Sequence, residues 1–157
     1  MYAEKNSFEI ITVEKEILVV GLSHKKNGIP MPELWDHMDE IEAAANHTAT
    51  PSKTYGLWID PHPNEDYMIG IEVSSLSGQS SDFSAFTIPC GQYIQNTFNA
   101  ESIGELLGEK IRHKYKELEN WAKKNDLHIN WDVAVEVYPD GLFEMEYPEM
   151  QYWCHVL

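Results

Sequence analysis

The side chains of this sequence that could bind a ligand are aromatic rings, carboxylates and an amide at alternate positions of its β-rich segments. They are Trp58, Glu72, Glu136, Tyr138, Gln151 and Trp153. Aromatic walls beside a carboxylate suit a cationic or flat aromatic molecule, because a cation is attracted both to ring faces and to the opposite charge. The sequence therefore predicts a ligand-binding cluster, provided that the strands bring these residues to one surface.

The period of two along a strand decides which of these side chains share a face. In the closing segment Glu149–Leu157, Tyr152 and Cys154 point to one face and Gln151 and Trp153 to the other. We expect the candidate residues to share the face that the helices leave uncovered. The positions expected beneath the helices are Tyr55, Leu57, Ile59, Ile69, Ile71, Val73, Val133, Val135 and Val137.

Composition limits the classes of function. The chain has 157 residues, 43% of them hydrophobic, which is enough for one domain with a sizeable core. The net charge of −15 disfavours direct binding to nucleic acid, which depends on Lys and Arg neutralising phosphates, and suits a cationic ligand. No signal peptide or long apolar run is evident, so we expect a cytoplasmic protein without a membrane partner.

Metal and cofactor chemistry is not indicated. Cys90 and Cys154 are far apart in sequence, which fits neither a disulfide framework nor a zinc ribbon. The seven histidines do not have the spacing of a helical or hairpin metal site. We find no phosphate-binding loop, dinucleotide fingerprint or nucleophile elbow. We therefore expect neither a metal nor a cofactor.

The predicted elements repeat in order and give an α+β fold. A strand, a helix after Pro32 and two strands occupy residues 8–76, residues 77–82 form a linker, and the same order returns in residues 83–157. The second helix is predicted to follow a capping box at Ser102 and Glu105 and to end near Asn125. Its expected buried stripe is Ile103, Leu107, Ile111, Tyr115, Leu118 and Ala122. We expect antiparallel sheets with helices on one face, paired about a pseudo-two-fold axis, and a ligand cleft between the halves.

Short motifs in the same order resemble the GyrI-like family, also described as the AraC-type effector-binding domain. They are VVGLSHK, IPMPELWDHM at Ile29–Met38, YGLWIDP at Tyr55–Pro61, YMIGIEV at Tyr67–Val73, IPCGQY at Ile88–Tyr93 and VEVYP at Val135–Pro139. The resemblance covers roughly Phe8 to Leu157. It implies two strand–helix–strand–strand units around a hydrophobic cleft that binds drugs and other small, often cationic, amphiphiles through aromatic residues and a glutamate.

Two positions within that pattern concern the ligand directly. The resemblance implies a cleft position for Tyr93, because the family often has an aromatic residue there. Gln151 occupies the position of the cleft glutamate in the last strand, and His155 replaces a proline. A neutral amide does not supply the same attraction for a cation, so Glu136 or Glu72 is expected to provide the charge from a neighbouring strand.

Three functions remain open from the sequence. The first is a stand-alone binding protein for a hydrophobic aromatic ligand, either cationic or neutral, as in multidrug binding, transcription regulation or a toxin response. The second is a hydrolase that uses Glu136 or Glu72 as general base and Tyr138 as acid. The third is an inhibitory module of the gyrase-inhibitor type that binds a protein partner.

Overall fold

A computed structural model describes residues 1–49, 53–60 and 66–157 of the chain. It has eight strands and several short helical segments, and the paired strands run antiparallel. The predicted α+β class is therefore confirmed. Pro61 and Pro63, which the sequence predicts to stop a strand, lie outside the described residues. The chain divides into two compact units, and each unit contains four strands together with helical segments.

The first unit, Glu14–Cys90, contains a sheet of four strands in the order β3-β4-β2-β5. They are β2 (Ile17–Ser23), β3 (Thr54–Asp60), β4 (Asp66–Val73) and β5 (Ser84–Ile88). Gly21 of β2 lies directly opposite Gly70 of β4. A Cβ atom at Gly21 would lie 1.9 Å from the Ile69 carbonyl oxygen, so the close approach of these two strands requires glycine.

The helical segments of the first unit pack on one face of its sheet. They are α1 (His24–Asn27), a 3₁₀ segment (Met31–His37) and α2 (Met38–Ala44). Leu34 and Ile41 from the last two segments are buried against Leu22, Ile69 and Ile71 of the strands. We call this side of the sheet the helix face of the first unit and the other side its opposite face.

The second unit, Met1–Val13 with Gly91–Leu157, contains a sheet of four strands in the order β1-β6-β8-β7. They are β1 (Asn6–Val13), β6 (Gly91–Asn99), β7 (Ile129–Tyr138) and β8 (Glu149–Val156). A 3₁₀ segment, Leu142–Glu144, lies between β7 and β8. On the helix face, Leu118 and Ala122 of α3 (Lys114–Lys124) pack against Ile94 and Cys154.

The units differ from the predicted halves 8–76 and 83–157 in one respect. Strand β1 pairs with β6, whereas β5 pairs with β2. Each predicted half thus contributes one strand to the sheet formed mainly by the other half. This is possible because antiparallel pairing can join strands that are distant in sequence. Periodicity within a strand gives no information about which distant strand will be its partner.

The predicted long helix is interrupted, and this changes which side chains it buries. A π-helical turn, Glu105–Lys110, precedes α3, and His113 separates the two segments. A π-helical turn holds more residues than an α-helical turn, so it rotates the positions on either side of it relative to each other. Leu106, Lys114 and Leu118 are buried, whereas Tyr115 is 49% exposed. The predicted burial of Tyr115 is therefore wrong, although that of Leu118 and Ala122 is confirmed.

Candidate functional site

The predicted binding residues do not share one face of either sheet. In the second unit, Glu136 lies directly opposite Tyr152, whereas Val137 lies opposite Gln151 and Val135 opposite Trp153. Directly opposite residues of antiparallel strands project to the same side. Glu136 and Tyr138 therefore lie on the helix face with Tyr152, and Gln151 and Trp153 lie on the opposite face.

The expectation that Val135 and Val137 pack beneath a helix is wrong for the same reason. Both lie on the opposite face with Trp153 and are buried there, whereas Val133, also buried, belongs to the stretch where the register of β7 on β8 is interrupted. A strand that is buried on both faces gives no alternation in hydrophobicity that distinguishes the helix side. The assumption that the more aliphatic side of each strand meets the helices is therefore wrong for β7. It is also wrong for β3, because Tyr55 and Leu57 lie opposite Gly70 and Met68, on the other side of the sheet from the helix-face core.

Tyr93, Gln151 and Trp153 lie together on the opposite face, where the Tyr93 and Trp153 rings are 6.1 Å apart between centroids. Tyr93 is 0% exposed and Trp153 6% exposed. The Trp153 indole donates to Gln95 Oε1 at 3.0 Å and to Gln151 Oε1 at 3.2 Å. Gln95 in turn donates to Glu9 Oε1 at 2.8 Å. These bonds satisfy the Trp153 indole internally.

The two candidates of the first unit are likewise on different faces. Trp58 lies opposite Tyr67, and their rings are in edge contact at 5.3 Å between centroids. Tyr67 packs against the helix-face core, so Trp58 also lies on the helix face. Glu72 is on the opposite face, where the Tyr55 hydroxyl donates to it at 3.4 Å. Burial, with the Glu72 charge adding to it, raises the pKa of Tyr55 above its ordinary value.

A short hydrogen bond joins two of the predicted residues, Tyr138 and Glu136. The Tyr138 hydroxyl donates to Glu136 Oε1 at 2.6 Å, a distance typical of a bond to a charged acceptor. Tyr138 is 2% exposed, whereas Glu136 is partly exposed. Burial, and then the negative charge of Glu136, raise the pKa of Tyr152. A carboxylate is therefore held between two tyrosines on the helix face.

A polar residue that the sequence patterns did not single out continues this arrangement. Asn96 of β6 lies directly opposite Tyr152, on the other side from Glu136. Glu136, Tyr152 and Asn96 thus form a row across three neighbouring strands, which we call the Glu136 row. Asn96 is 0% exposed. A buried asparagine between aliphatic and aromatic residues of a strand is itself unusual, and this could have drawn attention to it.

A surface pocket lies elsewhere in the second unit and contains none of the predicted binding residues. Its volume is about 380 Å³, and it lies between the end of α3, the start of β7 and the last residue. Trp131 and Ile129 contribute apolar walls, and Glu119 and Lys123 contribute charges. Trp131 belongs to the stretch between Asn130 and Ala134 where the register of β7 on β8 is interrupted.

Two structural observations bear on other kinds of site. Within residues 1–49, 53–60 and 66–157, no group of three or more His, Cys, Asp or Glu side chains could hold a metal ion. In that same part of the chain, no helix has the length and apolar character needed to cross a membrane.

Residues 7–152 match the family of the GyrI-like small molecule binding domain, and the chain belongs to this family. The resemblance seen in the sequence motifs is thereby confirmed, and small-molecule binding is the function that the family description gives. No curated protein matches the chain significantly.

Solved structures share this fold at low sequence identity. The C-terminal domain of EcmrR aligns with a TM-score of 0.67 and 15% identity, over 99% of this chain and 99% of that one. SAV2435 bound to tetraphenylphosphonium aligns with a TM-score of 0.65 and 13% identity, over 96% and 94%. An integron cassette protein from Vibrio cholerae aligns with a TM-score of 0.60 and 16% identity, over 96% and 95%.

Proposed function

We propose that this protein binds small hydrophobic cations on the helix face of its second unit, with Glu136 as the counter-charge. The observation that carries the proposal is the Glu136 carboxylate, which accepts a 2.6 Å hydrogen bond from Tyr138 beside Tyr152. A carboxylate held by a tyrosine hydroxyl needs little reorganisation when a cation arrives. Tyrosine rings next to it offer the ring faces to which organic cations are attracted.

The rest of the molecule is consistent with a cationic ligand. The net charge of −15 raises the local concentration of cations around the protein. SAV2435, which shares the fold, was solved with tetraphenylphosphonium bound. We propose the same class of ligand here, a lipophilic cation with aromatic substituents, and a role as an effector-binding or sequestering protein in the cytoplasm.

Glu136 is favoured over Glu72 as the counter-charge by geometry. The Tyr138 bond to Glu136 is 2.6 Å long, whereas the Tyr55 bond to Glu72 is 3.4 Å. Glu136 also has Tyr152 directly opposite, whereas the residue opposite Glu72 on β2 is Val19. Glu72 therefore has no aromatic residue directly opposite it on β2.

The hydrolase hypothesis uses the same pair of residues and is less favoured. Tyr138 directs its hydroxyl proton to Glu136, so it would have to reorient before donating that proton to a leaving group. Incubation with bound ligands, followed by mass spectrometry, separates the two functions, because a binding protein releases its ligand unchanged.

The test of this proposal is isothermal titration with two ligands of the same shape and opposite charge. Tetraphenylphosphonium should bind and tetraphenylborate should not. Glu136→Gln should weaken tetraphenylphosphonium binding by roughly 10- to 100-fold, because a charged contact contributes about 1.5–3 kcal/mol. The matched control is Glu72→Gln, which removes the other tyrosine-bonded carboxylate and should leave the affinity unchanged. Equal affinities of wild type and Glu136→Gln would contradict the proposal.

A further inference from the structure

We propose that Asn96 Oδ1 is a second ligand contact of the same site, and that it selects cations carrying an N–H or O–H donor. This inference rests on the proposed function and specifies the ligand further. Asn96 Oδ1 is buried and has no hydrogen-bond partner among the described residues. A buried carbonyl without a donor is costly, so a ligand that supplies one gains affinity.

The orientation of the Asn96 amide is fixed by its neighbours. Its Nδ2 donates to the Ser7 backbone carbonyl at 3.0 Å and to Asn6 Oδ1 at 2.7 Å. Exchanging the amide nitrogen and oxygen would place Oδ1 against the Ser7 carbonyl, which can only accept. The Asn96 atom without a partner is therefore its oxygen, because the reversed amide would place two acceptors against each other.

The orientation of Asn6 is fixed in turn by charged groups. Asn6 Nδ2 donates to Glu117 Oε1 at 2.9 Å, and Asn6 Oδ1 accepts from Lys114 Nζ at 3.2 Å. A carboxylate accepts only and an ammonium donates only, so the Asn6 amide has one favourable orientation. These hydrogen bonds connect Lys114 and Glu117 through Asn6 to Asn96. Within this network, the Asn96 carbonyl oxygen is left without a donor.

Asn96 is placed where a ligand at Glu136 would extend. Both residues lie directly opposite Tyr152, one on each neighbouring strand. Strands of a sheet are about 4.8 Å apart, so Glu136 and Asn96 are separated by roughly 10 Å across the Tyr152 ring. Because Asn96 Nδ2 is directed to β1, its carbonyl is turned away from that strand. A ligand could therefore contact both residues if its cationic centre lies at Glu136 and its N–H or O–H donor lies one aromatic ring away from that centre.

Lys114, which donates to the same Asn6 oxygen as Asn96 Nδ2, is an alternative donor within the protein, but its side chain has other partners. Its Nζ pairs with Glu117 Oε2 at 3.1 Å and lies 4.2 Å above the centre of the Phe98 ring. Burial outweighs these partners and lowers its pKa. Turning Lys114 toward Asn96 would disturb its bond to Asn6, so the side chain has contacts that hold it in its present position.

The experiment compares two phosphonium cations that differ in one group. 4-Hydroxybenzyl(triphenyl)phosphonium carries a neutral phenol, and 4-methylbenzyl(triphenyl)phosphonium replaces its hydroxyl with a methyl group of similar size. We expect the hydroxylated cation to bind the wild type about tenfold tighter by isothermal titration. In Asn96→Leu the ratio of the two affinities should fall to about one.

Two further variants test whether the neighbours of Asn96 cause the preference. Asn6→Ala removes a partner of Asn96 Nδ2 but leaves Oδ1 available, so it should keep the tenfold ratio even if it destabilises the fold. Lys114→Met should also keep the ratio. A preference that emerges only in Lys114→Met would mean that Lys114 already satisfies Asn96 Oδ1, and would overturn the inference.

The outcomes also separate this inference from the proposed function. If both cations bind in a Glu136-dependent manner with equal affinity to the wild type, the Asn96 contact is refuted and the proposed function stands. If neither cation binds, both fail together. A preference for the hydroxylated cation that persists in Asn96→Leu would assign the donor contact to another residue and refute the inference.

Discussion

Tyr138 and Glu136 lie two residues apart on β7, and the Tyr138 hydroxyl donates a 2.6 Å hydrogen bond to Glu136 Oε1. Side chains at this spacing project to the same side of a strand, so the bond lies along the helix face of the second unit. It orients the carboxylate that we propose as counter-charge.

Removing the Tyr138 hydroxyl should cost stability. Tyr138→Phe deletes the donor of a bond to a carboxylate and should lower the free energy of unfolding by about 1–2 kcal/mol. Urea denaturation measures this difference. Tyr152→Phe is the matched control, because the Tyr152 hydroxyl has no hydrogen bond within the described parts of the chain. Its effect should stay within about 0.5 kcal/mol, and equal losses in both variants would contradict the special role of the Tyr138 bond.

Alkaline pH should destabilise the fold through its buried tyrosines. Burial raises the pKa of Tyr55 and of Tyr152 above the ordinary value of 10.0. Above that pH the unfolded chain loses protons that the folded chain keeps, so the free energy of unfolding falls as pH rises. Tyr152→Phe should reduce the slope above pH 10 by about 1.4 kcal/mol per pH unit. The measurement is urea denaturation of the wild type and of Tyr152→Phe at several alkaline pH values. Equal slopes for the two proteins would mean that Tyr152 ionises freely in the folded state, and would contradict the prediction.

The burial pattern of the interrupted helix can be tested with two neighbouring positions. Leu118 is 0% exposed and Tyr115 is 49% exposed. Leu118→Ala should lower the free energy of unfolding by about 2–5 kcal/mol because it leaves a cavity in the core. Tyr115→Ala should change it by no more than about 0.5 kcal/mol. A large loss in Tyr115→Ala would indicate an uninterrupted helix with the buried stripe that its periodicity predicts.

Trp153 should matter for stability and not for affinity. Trp153→Phe removes the donor to Gln95 and Gln151 and should destabilise the protein by about 1–3 kcal/mol. Its affinity for tetraphenylphosphonium, measured at a temperature where the variant is folded, should stay within about twofold of the wild type. A loss comparable to that of Glu136→Gln would place the ligand on the opposite face.

The sequence was sufficient for the elements and for much of their order. Alternating strands and the motifs around Val19, Tyr55 and Val135 predicted the α+β class and the GyrI-like family, which the fold and the family match confirm. These features are local, because period and turn residues are fixed by the backbone of each segment.

Local patterns in the sequence could not show which face of each strand meets the helices. Val135 and Glu136 alternate as predicted, but which of them meets α3 depends on the register of β7 against β8. Both faces of this strand carry buried residues, including Val135 and Tyr138, so hydrophobicity did not identify the helix side. Asn96 was missed because its significance arises from neighbours on two other strands.

The most direct test of the central claim is to locate a bound cation by the side-chain NMR signals of the two faces. The Asn96 amide reports on the helix face, whereas the Trp153 indole and the Gln151 amide report on the opposite face. Titration with tetraphenylphosphonium should shift the Asn96 side-chain signals and leave the Trp153 indole signal in place. Shifts of the Trp153 and Gln151 signals without a change at Asn96 would contradict a site at Glu136.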